Sequence, residues 1–401
     1  MAWSLLGCWL CLRPSCRRGL GWGSSWGCRR RKPHDSPTPS LDTIETLANF
    51  KGVIQISNDF LHTGEILYDI KPSNGKEVAW KQRRLITLRL AQAYKRIKSD
   101  KYHRIINCAG YMEFKRFSDN TMKLHTANFC KTRLCPTCNW RRSKKLFAQV
   151  SKIMDDIEND YEFLFLTLTC ESVSGDNLNS QIDSMILAFK LLCLRKQFKK
   201  VVRGWCRALE MNYNWETKKY NPHFHVILIV DKGYFKSDDY ITQDDFCFMW
   251  QSCLNVEYDV VTDIRTFKDS ERGKGKEVAE VAKYTIKTSN IMANLQGTTA
   301  FNQDIQDAAR KLTDKITDEI VFTLDAALKS RRLIGYGGIF KQKHKELNLD
   351  EDLDGDLIRT TDEVNEHEGL MYEIERYRWD IGLRNYIKIE PATMSEEEGE
   401  L

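Results

Sequence analysis

The sequence predicts an α+β domain built on an antiparallel sheet with helices packed against it, and three observations carry that prediction. Residues 161–169, YEFLFLTLT, form a run of β-branched, aromatic and leucine residues too short for a helix. Residues 205–215 and 221–230 are a second pair of such runs, separated by a short polar stretch and so disposed to form a hairpin. Between and around them lie long segments with apolar residues at helical spacing. The resulting order of strand, helix, strand, hairpin strand, helix favours antiparallel pairing over a strictly alternating parallel sheet.

Composition narrows the class. The chain has 401 residues, 42% of them hydrophobic, which is enough for a large core. No window approaches the run of about 18 to 20 apolar residues that a membrane span requires. The formal charge of +5 hides an asymmetry, because residues 350–401 carry −12 and residues 1–349 carry +17. A body that basic points to a polyanionic partner such as nucleic acid. The odd total of 13 cysteines in so long a chain argues against a secreted disulfide scaffold, so a reducing, cytoplasmic setting is expected.

Five segments follow along the chain. Residues 1–40 hold four of the ten tryptophans and seven basic residues without periodicity, and read as a disordered extension or a start placed too far upstream. Residues 41–158 are expected to be a helical, zinc-binding and DNA-contacting region, with an amphipathic helix over 82–99 whose outer face is basic and another over 140–157. Residues 159–292 contain the strands, a basic helical stretch over 180–202, and a helix over 276–289. Residues 293–347 are helical, with the helix of 304–332 ending at a glycine-rich stop, GYGGIF. Residues 348–401 are an acidic tail, expected to be a solvated tether.

The chemistry begins at NPHFHVILIV, residues 221–230. In a strand, alternate side chains share a face, so His223 and His225 converge while Phe224 and Val226 point the other way. Pro222 suits the first position of that strand. A loop centred in WETKKY would pair residues whose numbers sum to 435, setting Glu210 opposite His225. A one-residue slip would turn Glu210 to the other face. Two imidazoles and a carboxylate form a site for a divalent ion, with Mn²⁺ fitting the mixed nitrogen and oxygen donors better than Mg²⁺ does. Two polar residues on a half-exposed strand face are the ordinary alternative.

On the helix of 276–289, Glu277, Glu280, Tyr284 and Lys287 fall on one stripe, and Val278, Val281, Ala282 and Thr285 on the opposite, core-seeking one. Beside a metal, Tyr284 is a candidate covalent nucleophile towards a phosphodiester. Its phenol, with an ordinary pKa near 10, needs help to ionise, which Lys287 or the metal would supply. Glu280 lies one turn away on the same face, where it would activate the water that releases the link. An ordinary solvated Glu/Lys face is the alternative.

Cys130, Cys135 and Cys138 form C-x4-C-x2-C, and with Cys108 upstream they have the ligand count of a structural Zn²⁺ site, His125 being the rival fourth ligand. Buried free cysteines are the alternative. Lys131, Arg133, Trp140, Arg141, Arg142, Lys144 and Lys145 surround this segment and suit contact with DNA phosphates and stacking on bases.

These motifs resemble those of the rolling-circle replication initiators (Rep proteins) of small Gram-positive plasmids, in the HUH endonuclease superfamily. FLFLTLT (163–169) looks like their first motif, HFHV (223–226) like their metal motif, and EVAKYTIK (280–287) like their nucleophile motif. The tyrosine follows the histidines, as in initiators and unlike relaxases. The likeness spans roughly residues 80–340, including CKTRLCPTCNWRR and GYGGIF. It implies a central antiparallel sheet flanked by helices, with the histidine strand in the middle, here carrying in addition a small zinc-binding segment and a helical C-terminal region. It implies a nicking and joining endonuclease that acts on single-stranded or hairpin-extruded plasmid origin DNA through a 5′-phosphotyrosine, alongside a host helicase. Glu280 would serve in the terminating hydrolysis. An HUH transposase, and a zinc-containing DNA-binding protein without catalysis, are the competing readings.

Overall fold

The computed structural model describes residues 60–68, 75, 77–267, 275–282, 303–349 and 370–391. The extension 1–40, Tyr284 and Lys287 lie outside the described residues. Ten strands are seen among them: β1 (Phe60–Ile66), β2 (Tyr111–Phe117), β3 (Met122–Ala127), β4 (Tyr161–Thr169), β5 (Val202–Asn214), β6 (Lys219–Asp231), β7 (Thr262–Thr266), β8 (Ile334–Gly338), β9 (Tyr372–Asp380) and β10 (Asn385–Pro391). The described helices are α1 (Trp80–Arg96), α2 (Tyr102–Ile106), α3 (Pro136–Ile157), α4 (Leu178–Leu194), α5 (Lys196–Val201), α6 (Gln243–Leu254), α7 (Gly275–Val281), α8 (Gln303–Leu328) and α9 (Ile339–Glu346). None of them is long and apolar enough to cross a membrane.

The strands form two five-stranded antiparallel sheets, ordered β7-β4-β6-β5-β8 and β1-β10-β9-β2-β3. The α+β class holds, and β4 has the bounds expected of it. In the first of these sheets the histidine strand β6 is central, and the alternation of β4, β5 and β6 gives two different apolar faces. Leu164, Leu166, Leu168, Leu209, Phe224, Val226 and Leu228 belong to one core with residues of α4 and α6. Phe163, Phe165, Cys206, Ala208, Ile227 and Ile229 belong to the other, with residues of α3 and α7 and with Phe340 of α9. A strand buried on both sides has no polar row, which is why VILIV reads as a continuous apolar run.

Several expectations need correction. The segment 348–401 is not a tether throughout: β9 and β10 pair with each other and insert between β1 and β2. Tyr377, Trp379 and Tyr386 are buried there, while the intervening charges face outward or pair. The glycines of GYGGIF do not simply stop a helix, since residues 334–338 are the edge strand β8 against β5. A Cβ on Gly337 would come within 2.3 Å of the Trp205 ring, so only glycine lets the two backbones pair under that indole. The basic face of α1 is not wholly outward either. Arg84 is 2% exposed and donates hydrogen bonds to the carbonyls of Cys108 (2.7 Å) and Ile106 (2.8 Å). The basic stretch of 180–202 breaks at Arg195, where ψ turns extended between α4 and α5.

The region of 293–347 contributes the edge strand β8 to the sheet of the histidines, and β9 and β10 complete the sheet that contains β2 and β3.

Candidate functional site

The metal-ligand candidates of β5 and β6 come together. Glu210 pairs with His223 across the ladder, and Ala208 with His225. The register expected from the sequence is therefore off by two residues, because β6 begins at Lys219 and the turn tightens to residues 215–218. An even slip preserves the face, so Glu210 stays on the histidine side. Pro222 is the fourth residue of β6, not its first. The backbone N–H and C=O of Tyr220 face Val173 across the β4 side of the strand. Pro222 faces that same side just past the end of β4, so its missing N–H costs no ladder bond.

His225 Nε2 lies 3.0 Å from Glu210 Oε2, and His223 Nε2 lies 3.7 Å from the same oxygen. Ligands held about 2.1 Å from one ion at angles between octahedral and tetrahedral would be spaced by about 3.0 to 3.4 Å, so the three donors suit a divalent ion. The far side of each imidazole is also held. His225 Nδ1 hydrogen-bonds with the Thr167 hydroxyl at 3.3 Å, and His223 Nδ1 meets the Asn221 carbonyl at 3.3 Å. These contacts leave both Nε2 atoms directed at Glu210, the arrangement expected of metal-binding histidines. Burial alone would raise the Glu210 pKa. Hydrogen bonds and charge from His223 and His225 outweigh it and hold the carboxyl well below the usual range.

Helix α7 lies against the same face of the sheet. Val278, Val281 and Ala282, the core-seeking stripe expected from the sequence, are buried with Phe165, Ile227 and Ile229. Ser143 of α3 fixes the C-terminal end of α7 by donating to the Ala282 carbonyl. Glu280 is half-buried. Tyr284 follows this anchored end two residues later in the sequence.

The four cysteines Cys108, Cys130, Cys135 and Cys138 also converge, and all are buried. Sγ separations are 3.5 Å (Cys108 to Cys135), 3.7 Å (Cys108 to Cys138) and 3.6 Å (Cys130 to Cys138). Four thiolates about 2.3 Å from a tetrahedral zinc would be about 3.75 Å apart. His125 is exposed on β3, so Cys108 is the residue that closes the set. The Thr87 hydroxyl lies 3.7 Å from Cys135 Sγ, and the Cys130 N–H donates to Cys108 Sγ at 3.4 Å. Such donors offset thiolate charge.

The surrounding basic residues divide. Arg133 donates to the Leu328 and Arg331 carbonyls at the end of α8. Arg142 donates to the carbonyls of Lys131 and Thr132, bracing the cysteine loop. Trp140 packs edge-on against Trp80 at 4.9 Å, with the Arg83 guanidinium 4.2 Å and the Lys144 ammonium 4.8 Å from its ring centre. Lys131 and Lys144 are exposed, and Arg141 and Lys145 are half-buried. Sequence reasoning missed Thr167, although its parity with His225 across β4 and β6 was available once the register was fixed.

The described residues thus hold two sheets, a four-thiol cluster and a carboxylate-histidine cluster, each of which could hold a metal ion. Residues 121–387 match the family model described as Replication protein. The chain is 35% identical over 345 residues to a Protein rep of Bacillus amyloliquefaciens, covering 79% of this chain and 96% of that relative. It is 34% identical over 309 residues to a Protein rep of Streptococcus pneumoniae serotype 2, covering 75% and 89% respectively. A Protein rep of Lactiplantibacillus plantarum is 31% identical over 331 residues. No solved structure matches significantly. The chain belongs to the Rep family of replication proteins, and the matched region includes β9 and the start of β10 as well as the histidine sheet.

Proposed function

We propose that this protein initiates rolling-circle replication of a plasmid by nicking single-stranded origin DNA in an HUH-type site. The observation that carries this reading is the convergence of Glu210, His223 and His225 on the sheet face where α7 is anchored. That helix opens the segment containing Tyr284. A central antiparallel sheet with the histidines on its middle strand agrees with the fold such enzymes use.

Glu210, His223 and His225 would hold Mn²⁺ or Mg²⁺, which when bound polarises the scissile phosphate and offsets its charge. Thr167 and the Asn221 carbonyl keep the imidazoles in register for that role. The Tyr284 oxygen forms a bond to phosphorus as the bond to the 3′ oxygen breaks, leaving a 3′-OH and a 5′-phosphotyrosine. Lys287 favours the phenolate. At termination Glu280 takes a proton from water, which attacks phosphorus and frees Tyr284. Cys108, Cys130, Cys135 and Cys138 would hold a structural Zn²⁺. Lys131, Arg133, Trp140, Arg141, Arg142, Lys144 and Lys145 form the basic surroundings of that centre and would approach origin DNA, with Arg133 and Arg142 acting through the loop they brace. The work is cytoplasmic, with a host helicase following the nick.

The test is to incubate the protein with Mn²⁺ and oligonucleotides tiling the plasmid origin, beside Tyr284→Phe and His225→Ala. A denaturation-resistant protein–DNA adduct that needs both residues and the metal is expected. Specific binding without an adduct would favour a non-catalytic zinc-containing DNA-binding protein, and adducts at element ends in place of an origin would favour a transposase.

A further inference from the structure

We propose that Arg265, on the edge strand β7, binds a phosphate of the substrate strand flanking the scissile one; this rests on the nicking role argued above. The register places it. Thr167 of β4 lies between His225 and Asp263, and Phe165 lies between Ile227 and Arg265, so Asp263 and Arg265 share the histidine face. Two strands across and two residues along put Arg265 roughly 12 Å from His225 at the backbone. That is beyond ligand distance and suits a neighbouring phosphate.

The side chain is prepared for such a contact. Its guanidinium carbon lies 5.1 Å from the centre of the Phe165 ring, and Phe165 in turn lies 5.3 Å from His225, tilted by 32°. A layered path of guanidinium, phenyl and imidazole thus runs from the edge of the sheet to the metal ligands. Asp263 engages Arg265 through Nε at 3.3 Å. Among the described residues the outer Nη edge has no partner, and the side chain is about half exposed, at 48%. A planar two-nitrogen edge on a guanidinium resting over an aromatic ring is suited to grip a phosphate bidentately. Among the described residues β7 pairs with β4 alone, so Arg265 stands at the edge of the sheet.

Phosphate contacts carry no sequence information, so oligo(dT) is a sufficient probe, and leaving Mn²⁺ and Mg²⁺ out of the buffer separates binding from chemistry without stripping the cysteine site. Binding of labelled oligo(dT) to the full chain is measured by anisotropy across a salt series, for the wild type, Arg265→Gln and Arg265→Lys. For Arg265→Gln we expect affinity to fall roughly fivefold to tenfold. The slope of log affinity against log salt should shrink by about 0.7, the loss of one single-strand phosphate contact. Arg265→Lys should keep most of the slope and lose part of the affinity, because it retains charge but not the fork. With Mn²⁺ and origin DNA, KM should rise while kcat is retained. Unchanged affinity and slope in both variants, or no salt-sensitive binding by the wild type, would overturn the proposal. A slope change without any Tyr284 adduct on origin DNA would instead sink the nicking reading and leave this contact standing.

Discussion

Among the described residues two clusters of side chains could hold a metal ion, and they differ in closure. Cys108, Cys135 and Cys138 are fully buried and Cys130 nearly so, with four like donors spaced for a tetrahedron. Glu210, His223 and His225 supply three mixed donors near the end of a sheet, with His225 only partly buried. Four protein ligands leave an ion nothing further to bind, whereas three leave positions for water or substrate. The same contrast separates holding a fold together from doing chemistry.

Breaking the closed site should have the largest effect. With Cys135→Ser, or on stripping zinc with a strong chelator, β2, β3, α1 and the start of α3 lose their common tie. We expect a loss on the order of 3 kcal/mol or more, read as a large fall in melting temperature together with loss of bound zinc. An unchanged melting curve in metal-free protein would remove the structural role from this cluster.

His225→Ala tests the open site. Adduct formation should fall on the order of a hundredfold, while zinc content and the bulk of the fold persist. If zinc were lost as well, the two centres would not be independent.

Thr167→Val sharpens the comparison without touching a ligand. It removes the hydroxyl that meets His225 Nδ1 at 3.3 Å and keeps the volume. Affinity for Mn²⁺, measured by calorimetry, should drop roughly tenfold. Retained affinity would show that neighbouring packing alone orients the ring.

The smallest effect concerns the sheet that supports the closed site. Glu375 meets Arg116 Nε at 2.8 Å, Lys388 Nζ at 3.2 Å and the Tyr377 hydroxyl at 3.0 Å. Burial works to raise its pKa, but the bonds from Arg116, Lys388 and Tyr377 prevail and lower it. A carboxyl lowered on folding contributes stability above its unfolded pKa of about 4.3 and loses it as pH falls through the folded value. Glu375→Gln should therefore cost about 1 kcal/mol at pH 7, modest because solvent reaches the cluster, and should flatten the acid limb of the stability curve below about pH 4. An identical acid limb in variant and wild type would contradict this.

The legibility of these regions differed for physical reasons. The thiol cluster was readable because Cys130, Cys135 and Cys138 lie within one turn-and-helix segment, where spacing nearly fixes geometry. The strand pair β9 and β10 was missed because net charge masked alternation: in YEIERYRWD the acids and arginines hide Tyr377 and Trp379 at period two. The capping box of α6, Thr242 with Asp245, is by contrast local: a threonine followed three residues later by an acid marks the helix start.

By itself the sequence determined the local periodicities. It set the face that His223 and His225 share, the core stripe of Val278 and Val281, and the thiol spacing, because side-chain direction follows from backbone repeat alone. Only the tertiary structure decided what depends on contacts between distant segments. It set the register that brings Glu210 across from His223, the choice of Cys108 over His125, and the return of the C-terminal strands to the cysteine sheet. It also set the placement of Arg265 beside Phe165. Pairing between strands far apart in the chain is selected by the burial of whole faces, and no short stretch of sequence contains that information.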